Sequence, residues 1–135
     1  RTFNPDVREV ALRRLHEVIE GTAKMMGAEG EVILHPVAPA VINDEDVTSV
    51  VQDAVRDVLG EEALNAEMRT MGSEDAAFFL REIPGCFFFV GSTPVEAEGH
   101  IPHHNPKFDI DEGVLPIGVS VMLTSLRRLM PVEEA

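Results

Sequence analysis

The stretch "MGSEDAAFFLREIPGCFFFVG", residues 71 to 91, sets the expected fold class. Gly72 makes a turn. Ser73 can cap a helix, Glu74 and Asp75 place acids in its first turn, and an apolar run follows until Pro84 stops it. The segment "CFFFVG", 86 to 91, is then apolar throughout, as expected of a strand covered on both faces by helices. A covered strand following a short helix points to an α/β arrangement, and the flanking segments are read outward from it.

Upstream, Val47, Val50, Val51, Ala54, Val55 and Val58 follow the helical period over 45 to 59, behind a cap at Asn43 or Asp44 and ahead of a stop at Gly60. Between that helix and the opening stretch, "NAEMRTM" reads as a short strand. Before the helix, "APAVIND" is a proline-rich connector, and "EVILHPV" is a short β-branched strand that Pro36 ends or confines to an edge. At the start of the chain Asn4-Pro5-Asp6 is a helix start, and Val7, Ala11, Leu15, Val18, Thr22 and Met25 recur at helical spacing until Gly27. Downstream, periodicity is lost from Ser92 to Phe108. Asp109 or Asp111 then caps a last helix carrying Val114, Leu115, Gly118, Val119, Met122, Leu123, Leu126 and Leu129. Helices and strands alternate, with more helix than strand, which gives α/β, or α+β for a fragment.

The 135 residues are one domain's worth of chain. Eleven Lys and Arg against 24 Asp and Glu give a formal charge of −13, which repels phosphate backbones and anionic lipid, so nucleic acid and membranes are excluded as partners. No apolar run approaches the ~18 residues of a spanning helix, and the residues at the start lack the basic-then-apolar layout of a signal peptide. The single cysteine, Cys86, has no partner for an internal disulfide and fits a buried, inert thiol in the cytoplasm. The opening "RTFNPDV" lacks a methionine, as expected of a chain that starts inside a larger protein.

Two places can carry chemistry. The loop "GHIPHHNPKFDIDEG", 99 to 113, holds His100, His103 and His104. Imidazoles on a loop ahead of a helix are well suited to hold Zn, Mn or Ni, and His104 is the best candidate. Spacing alone favours reading the three histidines as solvated side chains, the commoner case, and His16 and His35 read as surface or satisfied edge residues. The turn "MGSED" offers amides at a helix N-terminus, a seat for a substrate oxygen, although a plain cap is the commoner meaning of such a turn. Glu74 and Asp75 are adjacent on a helix and point about 100° apart, which disfavours an acid/base pair.

Taken together, "MGSEDAAFFLREIPGCFFFVGS" and "HHNPKFDIDEGVLPIGVSVM" closely resemble the C-terminal region of the metal-dependent amidohydrolases that include hippurate hydrolase, auxin-conjugate hydrolases and N-acetyl-diaminopimelate deacetylase. These belong to the aminoacylase/carboxypeptidase superfamily. The resemblance extends back through "RTFNPDVRE", "AVIND" and the 45 to 60 helix. It implies the end of a ferredoxin-like lid domain over residues 1 to 38, a connector over 39 to 44, and the C-terminal part of an α/β metallohydrolase catalytic domain over 45 to 135. The lid would also be the surface for pairing with a second copy.

By the same resemblance, the parent enzyme carries two divalent metals. A metal-bound water attacks the amide of a small N-acyl amino acid. His104 falls on the histidine of the family's "HNPKFD" motif and is the expected metal ligand, with His100 and His103 as bystanders. Met71, Gly72, Ser73 and Glu74, with Asp75, fall on the motif that lines the cleft. The family's "C-x-H" metal pair and its paired glutamates, which supply the general base, have no counterpart here, so no catalytic residue is expected in this chain and it should be inactive alone. A different class of reading is a stand-alone, non-catalytic module that pairs with another subunit through an edge strand at 31 to 35.

Overall fold

The computed structural model describes residues 1–94, 96, 97, 99 and 101–130. Four α-helices appear among them: α1 (Pro5–Met25), α2 (Glu45–Leu59), α3 (Ala76–Leu80) and α4 (Val114–Leu129), with a 3-10 turn at Glu61–Ala63. The chain divides into two compact units. One comprises Arg1–Asn43 with Met68–Pro84, the other Asp44–Glu67 with Gly85–Ala135.

In the first unit, Asn4 caps α1, its Oδ1 accepting from the N–H groups of Asp6 at 2.7 Å and Val7 at 3.3 Å. Pro5 takes the first helical position, and Gly27, with φ +67°, supplies the left-handed stop. The ends of α1 are therefore where local chemistry puts them. Its face is not. The apolar positions Val7, Leu15, Val18 and Met25 are exposed, and the half-buried stripe runs through Arg8, Leu12, His16, Ile19 and Ala23, about one position around the helix. The chain turns back over that stripe: a Cβ at Gly30 would lie only 3.0 Å from the Ala23 Cβ and 3.2 Å from Ile19, so glycine permits the close approach.

In the second unit, the Asp44 carboxylate caps α2 by accepting from the Val47 N–H at 2.9 Å, and Gly60, at φ +92°, ends it. All six apolar positions at helical spacing in α2 are buried or half-buried, and α2 packs on α4. The contact centres on Val51 and Ala54 of α2 and Val121 and Ser125 of α4. Ala54 is 0% exposed, and the small side chains let the two backbones come close. The Ser125 hydroxyl is satisfied by donating to the Val121 carbonyl at 2.8 Å. Arg128 reaches Asp57 and Asp53 across the rim of the contact.

Replacing Asp44 with alanine should cost about 1 kcal/mol through the lost cap. Arg128→Ala should cost less than about 0.5 kcal/mol, because its ion pairs are solvated. Urea denaturation of the two variants checks the order; a larger loss from Arg128→Ala would reverse the assignment of what holds α2 in place.

Three sequence expectations are corrected here. First, among the described residues there is no strand, so the segments at 31 to 35, 65 to 71 and 86 to 91 do not make the expected α/β sheet. Strand propensity becomes a strand only when a neighbouring backbone supplies the ladder. The 86–91 segment is instead pinned at its two ends, the Asp44 N–H donating to the Gly85 carbonyl and the Asp111 N–H to the Ser92 carbonyl, both at 2.9 Å. Cys86, Phe87 and Phe88 are half-buried, while Phe89 and Val90 are exposed, so the run is not covered on both faces.

Second, α3 begins at Ala76, later than Ser73 would have capped it, and no side chain caps it. Third, α4 is apolar nearly all round. Its covered stripe is Val114, Ile117, Gly118, Val121, Thr124 and Ser125, so of the residues the sequence placed on this helix Val114 and Gly118 are covered, whereas Leu115, Val119, Met122, Leu123, Leu126 and Leu129 are exposed. Neither Asp109 nor Asp111 sits at its N-cap, which is Gly113. Asp111 acts one turn earlier, its Oδ1 accepting from the Gly113 N–H at 2.8 Å.

Candidate functional site

The substrate-side candidates lie in the first unit. Met71, Gly72 and Ser73 are exposed and Glu74 is half-buried. The turn is held from outside the segment: an Arg1 guanidinium N–H donates to the Met71 carbonyl at 2.7 Å, and the Gly72 N–H donates to Thr70 Oγ1 at 3.2 Å. Asp75 is the residue preceding α3 and is itself already helical in backbone, with φ −72° and ψ −21°. A helix of five residues sums few peptide dipoles, so the anion seat expected from a helix N-terminus is weak here. What the turn does present is unhindered backbone. A Cβ built on Gly72 would meet nothing nearer than the Thr70 side chain at 3.6 Å.

The metal candidate lies in the second unit, where the loop before α4 is built from two consecutive turns. The Asn105 N–H donates to the Pro102 carbonyl at 3.3 Å, closing a turn with His103 and His104 at its centre, and His104 has φ +68°. A positive φ at the third position of a turn, with none at the second, is the type II signature and ordinarily calls for glycine. Among the described residues His104 is the non-glycine residue in this region of backbone space. The second turn runs from Asn105 to Phe108, whose N–H donates to the Asn105 carbonyl at 2.9 Å. Asn105 also accepts the Lys107 N–H on its own Oδ1 at 2.9 Å, and Pro106 occupies the second position that suits its fixed φ.

The His103 ring meets the Phe108 ring edge to face, centroids 4.9 Å apart and planes at 87°. His104 itself is exposed. His100 lies outside the described residues.

His104 is an exposed imidazole, a donor type that divalent metals take, but it stands as one such group rather than a full set. Among the described residues no three His, Cys, Asp or Glu side chains gather to hold an ion, and a catalytic site takes about three protein donors. Two features were not drawn from the sequence. The His103–Phe108 contact left no signal in the spacing. The Asn105-Pro106 pair did, as a turn signature, and it accounts for the second of the two turns.

Residues 7–128 match the sequence pattern described as Peptidase family M20/M25/M40. N-acetyl-L-cysteine deacetylase of Bacillus subtilis is 31% identical over 134 residues, covering 99% of this chain and 30% of that protein. An IAA-amino acid hydrolase, ILR1-like 2 of Arabidopsis thaliana, is 34% identical over 113 residues, 81% of this chain and 26% of its own length. Thermostable carboxypeptidase 1 of Saccharolobus solfataricus is 33% identical over 121 residues, 87% of this chain and 30% of its own length. The chain thus spans about 30% of the length of the curated relatives it matches. The matched residues take in both candidate segments and all but the first two positions of α1 and the last of α4, and on that footing the chain belongs to peptidase family M20/M25/M40.

Proposed function

We propose that these residues form the C-terminal part of a hydrolase that cleaves the amide bond of N-acyl amino acids. His104 donates to one of two divalent ions, Zn, Mn or Ni, and Met71, Gly72, Ser73 and Glu74 contact the substrate. The observation that carries this reading is the family match through both segments. Relatives named for deacetylation of N-acetyl-L-cysteine and for hydrolysis of an amino acid conjugate support the N-acyl amino acid class. Such an ion supplies polarisation of the scissile carbonyl and a more acidic water. The contribution of this chain is smaller and specific: an imidazole held in place by its turns, and exposed backbone at Gly72. The remaining metal donors and the proton-transferring carboxylate come from residues outside these 135, so the chain on its own turns over no substrate. Residues 1 to 38 would close the lid and 45 to 135 the catalytic domain, in a cytoplasmic enzyme able to pair through its lid.

The test is amino acid release from a panel of N-acyl amino acids by the full-length protein, before and after dialysis against a chelator and after return of Zn, Mn or Ni. Release that vanishes with the metal and comes back with it is expected, together with none from the 135-residue chain. Release that survives complete metal removal would overturn the reading.

A further inference from the structure

We propose that His103 is a positioning residue whose ring, locked edge to face on Phe108, clasps the two turns of the 102–108 loop and thereby holds His104 in its left-handed backbone conformation. The inference deepens the function proposed above and rests on His104 being a metal donor.

A left-handed φ of +68° costs a residue with a Cβ, and histidine at a position that favours glycine persists only where its surroundings hold it there. Three constraints do so. The Pro102 carbonyl takes the Asn105 N–H and fixes the residue after His104. Asn105 is fixed further by its two acceptors, the carbonyl taking the Phe108 N–H and Oδ1 the Lys107 N–H, both at 2.9 Å. Pro106 restricts Asn105 from the other side. The hydrogen bonds close each turn, but His104 lies in the first turn and Phe108 ends the second. The side-chain contact that joins the two turns is His103 on Phe108, at 4.9 Å.

The loop is otherwise open, with residues 102 to 109 all exposed. With so little packing to restrain it, a ring contact between its two halves is what limits how the turns swing about Asn105. The imidazole of His103 is thus occupied with Phe108, and that of His104 is the one presented. Neighbouring histidines divide into a brace and a donor.

Zn2+ affinity of the full-length protein, measured by competition with a chromophoric chelator alongside thermal unfolding, tests the division. His103→Ala should weaken Zn2+ by about tenfold, the scale of residues that orient a ligand, with the unfolding temperature unchanged. His103→Phe keeps the ring contact and removes both nitrogens, so it should bind Zn2+ as the native protein does. Asn105→Ala should also weaken Zn2+ by about tenfold, and Asn105→Ser, whose hydroxyl can accept the Lys107 N–H, should recover most of the loss. His103→Phe losing as much affinity as His104→Ala would make His103 a ligand and overturn the proposal. Native affinity in His103→Ala would overturn it as well. If His104→Ala itself keeps native Zn2+ affinity, the donor assignment under the proposed function falls, a result distinct from either of those.

Discussion

Replacing His104 with alanine in the full-length protein should weaken metal binding by more than about 100-fold, beyond the range for residues that only orient a ligand, and should abolish amide hydrolysis. A catalytic ion held by about three protein donors loses a third of its protein bonds when one imidazole goes, and alanine offers nothing in exchange. The change should leave the fold intact, because His104 is exposed and its turn places a strained φ of +68° on a residue that packs little. His104→Gly would separate the two effects: glycine suits that φ, so the protein should be at least as stable as the native one and equally devoid of metal. Metal content by mass spectrometry and thermal unfolding on the same samples give both readings. A His104→Ala protein that retains its metal and its activity would remove the ligand from the proposal.

The second large effect is structural. Ala54→Asp should destabilise the chain by about 3 to 5 kcal/mol, the cost of leaving an uncompensated charge in the interior, out of a total that for a domain is only about 5 to 15 kcal/mol. Ala54 is 0% exposed on α2, which packs on α4, where Val121 and Ser125 are the buried residues. The Ser125 hydroxyl already donates within its own helix to the Val121 carbonyl, so it is not available to solvate a new carboxylate. Loss of helical circular dichroism at lower temperature is the readout. Leu123→Asp, on the open side of α4, should change stability of the same chain by less than about 0.5 kcal/mol. Equal effects from the two substitutions would mean that α2 and α4 do not pair as described.

Local chemistry was legible residue by residue. Asn4 and Pro5 started α1 and Gly27 stopped it; Asp44 and Gly60 bounded α2; the inward face of α2 followed from its valines. Each of these depends on groups within a turn of one another. The same kind of information misled at Ser73, which has the composition of a cap but lies ahead of a helix that starts at Ala76. It misled again on α1, whose apolar spacing named Val7, Leu15 and Val18, while the chain returning past Gly30 covers Ile19 and Ala23. For the candidate site, residue type and order brought out His104 and the 71–74 turn. The brace that holds His104 could not be read, because the contact of His103 with Phe108 depends on how two turns fold against each other.

By itself, then, the sequence determined where α1 and α2 begin and end and which family the chain resembles, since caps, prolines, left-handed glycines and motif order act over a few residues. Tertiary structure alone decided which faces of α1 and α4 are covered, that no ladder forms at 31 to 35, 65 to 71 or 86 to 91 among the described residues, and which of two adjacent histidines is braced on Phe108. A covered face or a ladder is a property of two segments at once, and no single stretch of chain carries the information about its partner.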